Sequence, residues 1–427
     1  MNSSDRDVFL ECSMRYPVLR SLTFRAGSFF FYFFLVITAL YQLKPASRSL
    51  FIEYLGSENL PYIWIIVAIS MGIFISFYHR LVSQFSRKHV VMGTTLVFAM
   101  ILLVFRVWFL YPGKVVAISF YVFVDILGVV LVEQVWSLAN SIYTTGEGKS
   151  WYGFLGTGGL LGGVTGGGVS AFLISYTSMK TEDLVISAAV TILIIFSLMV
   201  VMGRVGFFCE VDEAEPEDTS SPVSKEPVSF GKYLYLIAAL LLLSQLISPI
   251  IEYQFMSTVE SAYGNIEART AFLSLFFSAL SMVSIGVNLF ITPTIHRFFG
   301  PIGGLLAQPL VIIFFSFIFL FNGTLFFAGA VKLGDRGLSY SINRASKELL
   351  YVPIGSLLIY RAKAWIDMLG YRLFKVLGSV LILIITGAAQ ASSHLAYLSM
   401  ASILICGLWL FMVGILRQEY VKVKGDL

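Results

Sequence analysis

The chain has 427 residues, of which 57% are apolar and only 13% charged, and its formal net charge is +4. This composition excludes an ordinary water-facing surface, and the small, dispersed positive charge offers no basic run for binding nucleic acid. The three cysteines and four histidines are too far apart to indicate a disulfide framework or a metal site. We therefore expect a lipid bilayer as the surroundings and no cofactor.

Apolar segments follow one another along the whole chain, each long enough to cross a hydrocarbon core of about 30 Å at about 1.5 Å per residue. In the first half they are predicted at 26–43, 61–78, 90–111, 115–140, 151–175 and 182–203. In the second half they are predicted at 233–256, 270–292, 303–321, 324–347, 364–388 and 394–416. The sequence thus predicts an all-α integral membrane protein of about 12 transmembrane helices in two six-helix bundles, 26–203 and 233–416.

Three polar segments flank these bundles. Residues 1–25 carry several arginines before an apolar stretch without a small-residue cleavage site, so we expect an uncleaved first helix. The linker 204–232 contains CEVDEAEPEDTSSPVSKEP, which is too poor in apolar residues to fold alone. It is either a solvated tether or a regulatory segment, and the role of its acidic part, 210–227, stays open. The Lys/Arg bias of the short loops places both termini, including the tail 417–427, and the linker in the cytoplasm.

The two halves resemble each other at one position. His79-Arg80 follows the second span of the first half, and His296-Arg297 follows the second span of the second half. Equivalent positions in two sets of six spans are expected of parallel repeats related by an axis along the membrane normal.

The tenth span carries the clearest polar pattern. At 100° per residue, seven polar side chains fall within an arc of about 120°: Lys332, Asp335, Arg336, Ser339, Asn343, Ser346 and Lys347. Charges within a bilayer usually face a bundle interior or a water-filled cavity. The stripe is therefore one wall of an aqueous solute pathway or, alternatively, a structural network of ion pairs between helices.

Three other spans carry polar faces. The fourth has a stripe of Asp125, Gly128, Glu133, Trp136 and Asn140, and the seventh has Gln245, Ser248, Pro249 and Glu252 on one face. In the first span, Lys44 and Arg48 lie one turn apart after an expected break at Pro45, and either line the cavity or snorkel to the interface. Helices one, four, seven and ten therefore carry most of the polar residues. This pattern is expected of a cavity between two bundles that rock against each other.

Two further features are ambiguous. Arg106, deep in the third span, is within reach of Asp125 across the turn at Pro112-Gly113, as a structural or a functional pair. The glycine-rich stretch 152–168 lies within an apolar span and matches no phosphate-binding loop. We interpret it as close packing between helices.

Two motifs indicate a family. VEQVWSLANSIYTTGEGKSWYGFLGTGG resembles a stretch of the bacterial and plastid ATP/ADP translocases of the major facilitator superfamily, and SKELLYVP followed by AKAWIDMLGYRLFK resembles their C-terminal motifs. YQLKPASRSLF is similar to the family's basic segment in the first span, with Lys44 at the matching position. SPIIEYQF is similar to its acidic segment near the seventh span, with Glu252 at the matching position. The chain departs from the family at Pro45, where an Asp is usual, and at Glu147-Gly148-Lys149-Ser150, where EAKR is usual. It resembles a divergent bacterial member.

The resemblance implies a major-facilitator fold and exchange of nucleotides, with lysines at the phosphates and glutamates in selection or coupling. We expect a transporter of a small anionic solute, working by alternating access in a bacterial inner membrane, and not an enzyme. The candidate solute-binding residues are Lys44, Arg48, Asp125, Asn140, Glu252, Lys332, Arg336, Asn343, Lys347 and Lys363.

Two alternatives remain. The first is a proton-coupled transporter of another metabolite, with Asp125, Glu133 or Glu252 as the protonated carboxylate. The second is a non-transporting membrane interaction protein on the same scaffold. The sequence leaves the oligomeric state open, and a monomer is compatible with it.

Overall fold

A computed structural model describes residues 22–142, 145–204, 231–351, 370–388 and 394–425. These residues form helices, turns and short connections, with no strand among them. The N-terminal segment up to residue 21, most of the linker (205–230) and Lys363 lie outside the described residues.

Six helices of the first half correspond to its six predicted spans, although the predicted span 90–111 runs three residues past its helix and 182–203 begins two residues before its own. They are α1 (Leu22–Leu55), α2 (Leu60–Gln84), α3 (Arg87–Trp108), α4 (Lys114–Ile142), α5 (Thr145–Tyr176) and α6 (Leu184–Arg204). Short 3-10 turns, Ser57–Asn59 and Thr181–Asp183, precede α2 and α6.

The second half contains α7 (Lys232–Ala262), α8 (Ile266–Gly286), α9 (Thr292–Phe321), α10 (Leu325–Leu338), α11 (Arg344–Tyr351), α12 (Tyr371–Ala388) and α13 (His394–Gly425). Two five-residue π turns, Val287–Ile291 and Ser339–Asn343, join α8 to α9 and α10 to α11.

The segment 266–321 is continuous helix by hydrogen bonding and has 56 residues. At about 1.5 Å per residue a straight helix of that length would measure about 84 Å, far more than a bilayer core. Gly300 interrupts it with φ 65° and ψ −172°, a conformation that favours glycine, and Pro301 follows. Gly300 thus separates the predicted spans 270–292 and 303–321.

Among the described residues nine helical segments are long and apolar enough to cross a membrane, and 266–321 is one of them. The kink at Gly300 divides this segment in two. Segments 325–351 and 371–388 account for the remaining predicted spans. The predicted all-α membrane fold is therefore confirmed.

The expected break at Pro45 is wrong, because α1 runs through it from Leu22 to Leu55. Proline removes one backbone hydrogen bond, but membrane helices tolerate this where neighbouring helices enclose them. Residues 45–52 of α1 are all buried, and this packing keeps the chain helical.

The tenth span is not a regular helix either. The π turn at Ser339–Asn343 inserts an extra residue, so side chains after it are rotated relative to those before it. The rotation of 100° per residue assumed for the stripe therefore does not hold across the turn. Ser346 after the turn is buried like Lys332 and Asp335 before it, and Lys347 is half-buried like Arg336. That these side chains share one face of the span stays a prediction.

Residues cluster into two compact units. One comprises Met1–Tyr54, Ile69–Lys225 and Asn265–Ser281, and the other comprises Leu55–Ala68, Glu226–Gly264 and Met282–Leu427. The first has a core that includes Phe29, Phe120 and Ile192, and the second a core that includes Ile237 and Trp409. The bundle limits 26–203 and 233–416 stay a prediction.

The glycines of α5 pack against α1. An added Cβ at Gly158 would lie 2.6 Å from the carbonyl oxygen of Phe30, and one at Gly166 would lie 2.5 Å from that of Thr38. Such distances leave no room for a side chain, so glycine is required where the two backbones approach. The interpretation of 152–168 as a packing surface is confirmed.

Candidate functional site

In the first unit, a buried ion pair joins α1 and α4. Arg48 donates through Nη2 to Asp125 Oδ1 at 2.6 Å and through Nη1 to Ser47 Oγ at 2.8 Å. Its guanidinium carbon also lies 4.2 Å from the centre of the Tyr121 ring, a cation–π geometry. Several partners thus fix the Arg48 guanidinium, so it does not snorkel.

The expected pairing of Arg106 with Asp125 is wrong. Arg106 Nη2 donates to Asp183 Oδ1 at 2.7 Å, at the end of α3 and just before α6. Asp125 turns instead toward α1, where Arg48 is the cation. The sequence shows which spans carry charge, but only the rotation of each helix decides the partner.

Two other candidates lie on the same two helices. Lys44 is half-buried, with its ammonium 5.8 Å from the centre of the Tyr41 ring. Asn140, near the end of α4, is exposed and accepts a 2.7 Å hydrogen bond from the Tyr152 hydroxyl through Oδ1. Trp136 meets the edge of Tyr152, with ring centres 5.6 Å apart. Tyr152 therefore contacts two other residues of the first sequence motif.

In the second unit, an ion pair joins α7 and α10. The ammonium of Lys332 donates to Glu252 Oε2. The Lys332 side chain is 1% exposed, whereas that of Glu252 is 20% exposed. The carboxylate is therefore the accessible member of the pair, and the ammonium lies behind it.

A second contact between α7 and α10 lies one turn away. The Ser248 hydroxyl donates to Asp335 Oδ2 at 3.2 Å, and Gln308 Nε2 of α9 donates to Asp335 Oδ1 at 3.1 Å. Arg336 Nε lies 3.6 Å from Asp335 Oδ2. The buried carboxylate of Asp335 thus holds three helices together and contacts one candidate solute residue.

Gln308 was not among the residues expected from the sequence. Its side chain is buried, and its Oε1 has no hydrogen-bond partner among the described residues. A single Gln beside Pro309 in an otherwise apolar span is the only signal that could have indicated it.

The remaining candidates are distributed around the π turn. Asn343 is buried, and its Oδ1 has no hydrogen-bond partner within the described part of the chain. Lys347 is half-buried, and neighbouring Ser346 lies 2.8 Å from His296 Nε2. Of the ten candidates, the structure pairs Arg48 with Asp125 and Lys332 with Glu252, and places Arg336 beside Asp335.

Solved structures with the same fold are membrane transporters. A bacterial homologue of the iron transporter ferroportin, in an inward-facing state, superposes with a TM-score of 0.61 at 13% identity over 92% of this chain and 99% of that one. The nucleoside transporter NupG superposes with a TM-score of 0.61 at 10% identity over 92% of this chain and 98% of that one. At such low identity these likenesses show the fold alone.

Membrane-spanning helices, charges paired within them and these structural neighbours define an integral membrane protein of the major-facilitator fold. Within that class, the sequence model of the TLC ATP/ADP transporter family matches residues 116–211 and 224–420. The chain belongs to this family.

Curated relatives agree with this membership. ADP,ATP carrier protein 3 of Rickettsia typhi is 24% identical over 369 residues, covering 74% of this chain and 72% of the relative. ADP,ATP carrier protein 1 of Chlamydia pneumoniae is 22% identical over 348 residues, covering 71% of this chain and 67% of the relative.

Proposed function

We propose that this chain is a secondary transporter that exchanges nucleotides such as ATP and ADP by alternating access. The match to the family model over two long segments, one in each half, carries the proposal. The names of the curated relatives and the paired charges on α1, α4, α7 and α10 support it.

Basic side chains are proposed to bind the phosphates. Lys44, Arg48 and Lys347 are half-buried or buried on membrane helices, where an ammonium or guanidinium can replace the water that a phosphate loses. Arg336 is proposed to act with them, and Lys363 joins them on the strength of the family motif alone. Asn140 and Asn343 are proposed as neutral hydrogen-bonding groups toward the solute.

The carboxylates are proposed to select the solute rather than to carry protons. Asp125 and Glu252 each contact a cation, Arg48 and Lys332 respectively. Each carboxylate is thus engaged in an ion pair between two helices. This arrangement favours exchange over the proton-coupled alternative.

We also propose that the protein lies in a bacterial inner membrane with both termini cytoplasmic. The Lys/Arg bias of the short loops supports this orientation.

The test is uptake into proteoliposomes. Labelled ADP should enter vesicles preloaded with ATP or ADP, and should not enter empty vesicles. A pH gradient should leave the rate unchanged. Uptake into empty vesicles that requires the pH gradient would instead establish the proton-coupled alternative.

A further inference from the structure

The pair of Lys332 and Glu252 is asymmetric. Both residues belong to the second unit, and their charged groups are in contact, yet only the Glu252 side chain is partly exposed. Of the two, Glu252 is therefore the one that a solute could contact, whereas the buried ammonium of Lys332 can act only through Glu252 and through its electrostatic field.

Contacts of a neighbouring residue on α10 also fix the position of Lys332. Three residues further along α10, Asp335 is bound by Ser248 of α7 and Gln308 of α9. Ser248 is four residues from Glu252, so residues one turn apart on α7 contact residues one turn apart on α10. These two contacts fix the register of the helices and, with it, the position of the ammonium.

Two cations and two carboxylates lie together in this cluster. Lys332 and Arg336 are positive, and Glu252 and Asp335 are negative, with each cation within 4 Å of a carboxylate in the second unit. An accessible carboxylate repels phosphate groups unless a cation cancels its charge. Removing the Lys332 ammonium would take away one positive charge beside Glu252 and make the surroundings of the solute more negative by one unit.

We propose that Lys332 is a positioning residue that determines how much negative charge the transported solute can carry, by orienting and neutralising Glu252. This inference rests on the proposed nucleotide exchange and names a specificity determinant within it. Its distinctive consequence is a dependence on the charge of the solute, because a carboxylate repels ATP more than ADP, and ADP more than AMP.

The experiment measures inhibition of labelled ADP exchange by AMP, ADP and ATP in proteoliposomes. In Lys332→Met the apparent affinity should fall by roughly tenfold for each negative charge that the solute places about 10 Å from the lost ammonium, at an effective dielectric of about 20, so the loss should be largest for ATP. The loss should be smaller for ADP and smallest for AMP. The KM should change more than the maximal rate.

Two controls separate this role from a structural one. Lys332→Arg keeps the positive charge and should restore the wild-type order of affinities. Lys232→Met is the matched substitution in another Lys–Glu pair, where the lysine side chain is 68% exposed and contacts Glu419 at 2.9 Å. It should leave all three affinities unchanged.

Lys332→Met removes the ammonium that a partly buried carboxylate contacts, so this variant could fail to fold. In that case, the double variants Glu252→Gln/Lys332→Met and Glu252→Gln/Lys332→Arg carry the test, since the first is neutral and the second keeps a permanent cation. Glu252→Gln/Lys332→Arg should favour ATP over AMP more strongly than Glu252→Gln/Lys332→Met does.

Equal losses for AMP, ADP and ATP in Lys332→Met would overturn the inference, as would identical affinities in the two double variants. These outcomes leave the proposed function intact. If the wild-type protein exchanges no nucleotide, the proposed function itself fails.

Discussion

At the residue scale, charge within the membrane helices is mostly compensated by a specific partner. Arg48, Asp125, Glu252 and Lys332 each have one. The sequence predicted these residues as a group because charges within apolar spans are costly and functional. It could not assign their partners, because a pair such as Arg48–Asp125 depends on the rotation of each helix. Arg106 is closer to Asp125 in the sequence than Arg48 is, yet it pairs with Asp183 instead.

The stability contribution of Arg48 should far exceed that of Arg106. Arg48→Gln removes the guanidinium that contacts Asp125, in a site where both side chains are about nine-tenths buried, and should cost about 3 to 5 kcal/mol. Arg106 is 33% exposed and Asp183 20% exposed, so Arg106→Gln should cost about 1 kcal/mol or less. The free energy of unfolding in mixed micelles measures both. Equal losses would show that burial does not distinguish the two pairs.

At the element scale, hydropathy and length located the spans well, because a bilayer imposes both on every helix that crosses it. Departures from regular helix were not predicted correctly. The break expected at Pro45 is absent, and the π turn at Ser339–Asn343, which rotates the end of the tenth span, was not expected. Packing of neighbouring helices keeps α1 helical through Pro45, and local sequence does not encode that packing.

The glycines of α5 give a prediction for this scale. Gly166→Ala places a methyl group against the backbone of α1 at Thr38 and should destabilise the protein by about 1 to 3 kcal/mol. Gly156 lies on the same helix, and an added Cβ there meets nothing within 4 Å. Gly156→Ala should therefore be neutral or stabilising by up to about 1 kcal/mol.

Thermal denaturation of the two purified variants tests this difference. The folded yield from membranes provides a second readout. A Gly166→Ala protein as stable as Gly156→Ala would mean that α1 and α5 are not in close backbone contact.

At the scale of the whole molecule, the family match spans both halves, and the same kind of charged contact recurs in each: α1 with α4, and α7 with α10. The repeat was predictable from the sequence because equivalent spans carry equivalent polar residues. The limits of the two compact units could not be predicted from the sequence, because they depend on contacts between segments distant in the chain, such as 265–281 with the first half.

The central claim is obligatory exchange of nucleotides, and release of preloaded label tests it most directly. Vesicles containing the protein and labelled ADP, with no pH gradient, should retain the label in plain buffer. They should release it when ATP is added outside, with one ATP entering for each ADP that leaves. Release at the same rate without external nucleotide would contradict the account.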